Sequence, residues 1–324
     1  MEKYWKTDGR RRMDLRTWLA FLALSLCCLT GCRKTASEVP VPGETLQNMQ
    51  EVEAKSPVSE AQGSFQVVEP GSLYTGTIEI AVPEASGTVV YEGNGVTIDA
   101  SHTEDGYIMV KGMSSDTRLK TQVSLNEEIY TYDLNQEEEY EVYPLQMGNG
   151  IYKVQVFQQV EGTSYTPVYY ADIEVEMPDT DRVFLYPSQY IWYTNDKNAV
   201  RLSYDLCMNL TSDQEKVERI YDYVVNLLTY DYEKAATVQK GYLPDVDATL
   251  EERKGICFDY SALVAAMLRA QDIPVRLVIG YVQPENLYHA WNQAYVDGEW
   301  IWMDATFGPS SGHTEKDYAQ EREY

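Results

Sequence analysis

Asp297-Gly298 constrains the fold of this chain more than any other dipeptide. Both central residues of a type I′ turn need positive φ, which an Asp-Gly pair tolerates. The pair separates two strand-like stretches, residues 289–296 and 299–306. A two-residue loop pairs Val296 with Glu299 and, continued along the ladder, Trp291 with Asp304. His289 then lies diagonal to Asp304 on the same sheet face, roughly 7–8 Å away at the backbone. A slip of one residue would send the two to opposite faces. The turn therefore decides whether an imidazole and a carboxylate meet.

A third reactive side chain precedes the hairpin. Cys257 opens a stretch in which Phe258, Leu263, Val264, Met267 and Leu268 recur at helical spacing until Asp272-Ile273-Pro274 ends it. Gly255 permits a sharp entry turn, so the thiol falls in the first helical turn. The helix dipole and a neighbouring imidazolium both favour thiolate there. Unsatisfied backbone N–H groups at the same end are placed to bind a developing oxyanion. A thiol, an imidazole and a carboxylate in this order fit nucleophilic acyl chemistry: Cys257 attacks, His289 takes its proton and Asp304 holds the ring in one tautomer. Singly, each has a plainer reading. A cysteine on an apolar helix is a small buried hydrophobe, a histidine before Trp a packed strand residue, an aspartate a turn cap. All three together, with matching face and order, favour catalysis.

Three motifs carry a family resemblance. Gly255-Ile256-Cys257 on a helix, His289-Ala290-Trp291, and Asp304-Ala305-Thr306 after Trp302 resemble the pattern and order of the transglutaminase-like superfamily, which shares a papain-like core. Leu228-Thr229-Tyr230-Asp231-Tyr232 resembles the helix end that precedes that core. The resemblance covers about residues 181–307. It implies Cys257 as nucleophile, His289 as base, Asp304 as orienting acid, and no cofactor. Family members include protein cross-linkers, peptidases and inactive relatives. The expected activity is acyl transfer through a thioester on peptide or glutamine-type amides, resolved by water (protease or deamidase) or by an amine (transglutaminase). The alternatives are a non-catalytic binding module on the same fold and a structural lipoprotein. Tyr230 or a nearby tryptophan is the candidate second oxyanion donor.

The N-terminus reads as a bacterial export signal. Lys3, Lys6, Arg10, Arg11, Arg12 and Arg16 precede an apolar run over 18–29 that is too short to span a bilayer. Leu29-Thr30-Gly31-Cys32 resembles a lipobox, which makes 1–31 a signal peptide and Cys32 the lipidated anchor of an extracytoplasmic membrane lipoprotein. Cys207 and Cys257 are then the remaining thiols; no disulfide framework follows, and Cys207 sits on an apolar stripe with Val200, Leu206 and Leu210. His102 and His313 have no nearby thiols, so no zinc-ligand spacing is present. The net charge of −25 becomes about −28 once the +3 leader is removed. Such acidity argues against nucleic acid as a partner. It is compatible with a well-solvated extracytoplasmic protein and would favour cationic substrates such as lysine-bearing peptides; the expected partner is a protein or peptide substrate, cell-wall associated or free.

The remaining sequence divides by pattern. Residues 32–64, with Pro40, Pro42 and Pro57 among Glu, Gln, Ser and Ala, read as a disordered tether. Residues 65–178 carry short alternating runs, at 77–82, 107–111, 119–125, 152–157 and 172–177, between the turn signals Gly93-Asn94-Gly95, Asp105-Gly106 and Gly148-Asn149-Gly150. That pattern indicates an immunoglobulin-like β-sandwich. Tyr130, Tyr132, Tyr140 and Tyr143 are expected to bury their rings there with hydroxyls in water, rather than form a carbohydrate strip. Residues 179–324 change to helices over 196–210 and 211–228, the second with a Ser212-x-x-Glu215 capping box, followed by the cysteine helix and antiparallel strands. The expected fold class is α+β, a papain/transglutaminase-like domain preceded by the sandwich.

Overall fold

The computed structural model describes residues 73–324. The leader, Cys32 and the tether at 32–64 lie outside the described residues. Strands come first along the chain, then helices and a further antiparallel sheet, so α and β are mixed as the sequence pattern indicates. Among the described residues no helix is long and apolar enough to cross a membrane.

Eight strands build the first part: β1 (Val90–Gly93), β2 (Val96–Asp99), β3 (Tyr107–Lys111), β4 (Leu119–Leu125), β5 (Glu128–Leu134), β6 (Glu141–Pro144), β7 (Gly150–Glu161) and β8 (Ser164–Val175). They form two four-stranded sheets, ordered β1-β2-β3-β6 and β5-β4-β7-β8. Asn94 and Gly95, at φ 53° and 79°, make the two-residue turn that pairs Gly93 with Val96. On β4, Leu119, Thr121, Val123 and Leu125 point inward while the intervening residues are half-buried, the period expected of one covered face.

Two expectations for this part need correction. Residues 77–82 form no strand. The Tyr204 hydroxyl satisfies the backbone of Glu79 instead, accepting from its N–H at 3.2 Å and donating to its carbonyl at 2.7 Å. Tyr130, Tyr132 and Tyr143 bury their rings as expected and Tyr140 is half-buried, but the hydroxyls of the first three are not left to water. Their hydroxyls have protein partners: Tyr132 accepts from Gln146 Nε2 at 3.1 Å, and Tyr143 donates to the Asp133 carbonyl at 3.0 Å.

The second part contains α1 (Asn198–Cys207), α2 (Asp213–Leu227), β9 (Thr229–Tyr230), α3 (Tyr232–Thr237), α4 (Val246–Glu252), β10 (Lys254–Gly255), α5 (Cys257–Arg269), β11 (Val275–Val282), β12 (Leu287–Val296), β13 (Glu299–Met303) and β14 (Tyr318–Glu323). The last four make a sheet ordered β13-β12-β11-β14. Ser212 and Glu215 form the expected reciprocal cap on α2. Lys197 cannot cap α1, so Asp247 of α4 reaches across and accepts from the N–H groups of Asn198 and Ala199 at 3.1 and 2.9 Å.

Helix α5 is the centre of this part, with all 13 residues buried. A helix buried on every side belongs inside a core rather than on its rim, and its few polar side chains need protein partners. Buried Asn292 of β12 bridges it to the sheet, donating to the carbonyls of Ser261 at 3.0 Å and Arg276 at 3.3 Å. At the other end of α5, buried Arg269 donates to the carbonyls of Val275, Tyr186 and Tyr324 at 2.6–3.0 Å. Aromatic packing joins the two parts. Tyr190 lies 5.9 Å from Tyr132, 4.5 Å from Tyr324 and 5.6 Å from Phe258, the neighbour of Cys257.

At Gly280 of β11, beside an irregularity in its pairing with β14, a Cβ would stand 2.1 Å from the Ala319 carbonyl oxygen. Backbone cannot yield as a flexible side chain does. Gly280→Ala should therefore destabilise the protein by about 1–3 kcal/mol, the usual cost of forcing extra volume into a packed site. A fall in the urea midpoint with an unchanged m-value checks this; an unchanged midpoint would show that β14 adjusts freely.

Candidate active site

The hairpin forms in the expected register, with Val296 opposite Glu299 and Asn292 opposite Met303. Asp297 and Gly298 have φ of 53° and 89°, as a type I′ turn requires. Asp304 follows directly after β13. Its Oδ2 lies 2.7 Å from Nε2 of His289 on β12, and both residues are at most 2% exposed.

Three further donors hold the same carboxylate. The Tyr318 hydroxyl donates to Oδ2 at 2.6 Å, and the N–H groups of Thr306 and Phe307 donate to Oδ1 at 2.9 and 3.2 Å. With His289 this makes four donors, about the full accepting capacity of a carboxylate. Tyr221 of α2 fixes the backbone by donating to the Asp304 carbonyl at 3.0 Å. Burial alone would push the Asp304 carboxyl up. The charge and hydrogen bond of His289, the Tyr318 hydroxyl and the Phe307 N–H outweigh it and hold the group below its ordinary value.

Burial likewise pulls the His289 imidazole down, but the Asp304 charge and hydrogen bond, with a smaller contribution from Cys257, push it up to about 10. Phe307 stacks on the ring, with centroids 4.5 Å apart and planes 10° apart. With Nε2 engaged by Asp304, Nδ1 is the nitrogen left for the thiol, and it has no full hydrogen bond. Such a contact is often long before substrate arrives. The Tyr318 phenol is driven far above its ordinary value, by burial first and then by the Asp304 charge. It therefore stays a donor at any working pH.

Cys257 is the first residue of α5 and is fully buried. Ile256, at the cap position, has no side-chain acceptor. Asp259 supplies half of a capping box by accepting from the Ile256 N–H at 2.8 Å. Early in the helix the N–H groups of Cys257 and Phe258 have no carbonyl one turn back to bond, and they are the backbone candidates for an oxyanion site. Tyr230 of β9 pairs in register with Gly255, two residues before Cys257. Cys207 lies apart on α1, where burial pushes its thiol up to about 11. Among the described residues no three His, Cys, Asp or Glu side chains gather as metal ligands would.

The structure thus brings Cys257, His289 and Asp304 to one place, while Cys32 lies outside the described residues. Sequence pattern did not reveal Tyr318 or Phe307. Tyr318 begins a short, polar edge strand fourteen residues after Asp304, and Phe307 sits in the loop after β13; neither lies on a periodic run.

Residues 201–305 match the model of the transglutaminase-like superfamily, and this part of the chain is a transglutaminase-like domain. Kyphoscoliosis peptidase of Mus musculus is 28% identical over 114 residues, 32% of this chain and 17% of that protein. The uncharacterized protein YebA of Bacillus subtilis (strain 168) is 31% identical over 132 residues, 34% of this chain and 17% of that protein. The chain thus spans about a sixth of the length of either relative. The periplasmic domain of TgpA from Pseudomonas aeruginosa, solved bound to ethylmercury, aligns with a TM-score of 0.34 at 18% identity, over 84% of this chain and 96% of that one.

The coupled pair has a pH signature. In the folded protein, against the pull of burial, the Asp304 charge and hydrogen bond push His289 up from its ordinary 6.5 to about 10. The stabilisation it provides is complete below about 6.5 and is lost as pH rises through about 10. Asp304 acts in the opposite sense: its contribution is present above the ordinary carboxylate value and is lost as pH falls through its depressed one. The difference in urea midpoint between wild type and His289→Gln should therefore be largest between the ordinary carboxylate value and about pH 6.5 and shrink towards pH 10. A difference that is flat from pH 6.5 to 10.5 would mean that the pair is not an ion pair in the folded protein.

Proposed function

We propose that this chain is a cysteine-dependent acyl-transfer enzyme acting on peptide or glutamine-type amides through a thioester. The observation that carries the reading is the buried His289–Asp304 pair at 2.7 Å, with the second ring nitrogen left for a thiol at a helix start. The Cys257 thiolate attacks the amide carbonyl, and negative charge builds on its oxygen beside the first N–H groups of α5. The C–N bond then breaks, and the His289 imidazolium delivers its Nδ1 proton to the departing amine. Water or a second amine adds to the thioester, His289 takes its proton, and the thiolate leaves. Asp304 stabilises the imidazolium and fixes its orientation without itself accepting the proton.

The location belongs to the same proposal. The export signal, the Leu29-Thr30-Gly31-Cys32 motif and the tether support a lipoprotein anchored at Cys32 on the outer side of a bacterial membrane, with a protein or peptide partner there. The two sheets formed by β1–β8 support the reading of residues 65–178 as an immunoglobulin-like sandwich that positions residues 179–324. Replacing Cys32 with Ala should leave unprocessed or mislocalised precursor in membrane fractionation. Normal processing and placement of that variant would remove the anchor from the proposal.

Catalysis is tested by thiol chemistry and single turnover. Iodoacetamide should label Cys257 well ahead of Cys207, whose thiol is pushed up by burial. Asp304→Asn keeps the side-chain size but disturbs the tautomer of His289, and should lower acylation by roughly two to four orders of magnitude in a folded protein. Cys257→Ala should abolish covalent turnover. Undiminished turnover in Cys257→Ala, or equal labelling of the two thiols, would leave a non-catalytic binding module on the same fold.

A further inference from the structure

At the start of α5 a buried carboxylate outside the triad gathers half-buried partners. Asp259, two residues after Cys257, is fully buried. Its Oδ2 accepts from the Ile256 N–H at 2.8 Å and faces Lys234 Nζ at 2.7 Å. Its Oδ1 accepts from the Tyr242 hydroxyl at 2.5 Å, and that hydroxyl accepts from Lys234 Nζ at 2.6 Å. The three groups form a closed ring of charge-assisted hydrogen bonds. Lys234 is held from its own side, because Asp231 caps α3 by accepting from the Lys234 N–H at 2.9 Å. Asp231 in turn donates its N–H to the Gly255 carbonyl at 2.8 Å and meets Lys254 Nζ at 3.1 Å. The fit is tight: a Cβ on Gly255 would stand 2.7 Å from the Asp259 Cβ.

A carboxylate in the first turn ordinarily steadies a helix start. Here the same helix end must also carry the negative charge of a thiolate, and two like charges repel strongly where water is excluded. The groups around Cys257 are Asp259 on its own helix, His289 and Tyr288 on β12, Asp304 and the Tyr318 hydroxyl behind His289, and Lys234 with Tyr242 behind Asp259. On the sheet side Asp304 is matched by His289. On the helix side Asp259 is matched by Lys234.

We propose that Lys234 is a positioning and charge-balancing residue for the nucleophile: it neutralises Asp259, so that the α5 terminus stays positive towards the Cys257 sulfur, while Tyr242 locks the pair in place. The idea rests on Cys257 acting as the nucleophile. Asp259 ties down the Ile256 N–H and thereby sets the entry angle of the Cys257 N–H. Lys234 removes the electrostatic penalty of having that carboxylate nearby.

The test is the pH dependence of Cys257 alkylation by iodoacetamide in the full chain, read by peptide mass spectrometry with Cys207 as internal reference. Lys234→Met should move the midpoint for reaction up by about one pH unit, a tenfold change in thiolate at a given pH below it. Asp259→Asn, which leaves Lys234 unmatched, should move it down. The double variant should return it to near the wild-type value. A purely structural role predicts lowered melting temperatures with no opposed shifts and no restoration in the double variant. A folded Lys234→Met protein with the wild-type midpoint overturns the proposal. If that variant does not fold, an unmoved midpoint in Asp259→Asn does so. A wild-type Cys257 no faster than Cys207 sinks the enzyme reading itself, and this proposal with it.

Discussion

A carboxylate that is 2% exposed and still ionised sets the terms for the second half of this protein. Stripping water from such a group costs several kcal/mol unless its lone pairs and charge are answered. Asp304 is answered from every side: by His289 across the hairpin, by two backbone N–H groups of its own loop and by a phenol from the far edge strand. Each partner requires a different element to be in place. The β12–β13 register brings the imidazole, the turn after β13 brings the N–H groups, and the β11–β14 pairing brings Tyr318. The arrangement is cooperative, since losing any one element leaves a buried charge short of a donor.

What could be read from sequence follows the range of the interactions. The His289–Asp304 meeting was legible because one dipeptide, Asp297-Gly298, fixes a local register. The cap at Ser212 was legible for the same reason, because a three-residue spacing carries it. The Tyr318 contact depends on β14 crossing to the opposite edge of a four-stranded sheet, and nothing in the sequence around residue 318 records where that edge is. Lys234 and Asp259 are 25 residues apart and meet across the β9–β10 pair, each looking like an ordinary surface charge on its own helix. Thr77–Val82 shows the opposite failure: a good alternating pattern that found a tyrosine hydroxyl before it found a strand partner.

The two described cysteines make a comparison within one chain. Both are buried and free of disulfides. Cys207 stands near the end of α1 among apolar side chains, and its thiol is driven to about 11. Cys257 opens α5 beside the His289 imidazole, and Asp259, two residues on, is paired with Lys234. Burial is common to both, so it does not by itself distinguish them. They differ in place: Cys257 opens its helix beside His289, whereas Cys207 closes its own.

The ring of His289 is oriented the other way round from that of a serine triad, in which the carboxylate takes Nδ1 and the nucleophile meets Nε2. Here Asp304 holds the tip of the ring and the sulfur is left the nitrogen beside its root. The root has a short reach. A nucleophile served from there must come almost to the backbone of the strand, so helix and sheet cannot be spaced by large side chains at that point. Asn292, bonded to a carbonyl of α5 and one of β11, pins the span between helix and sheet.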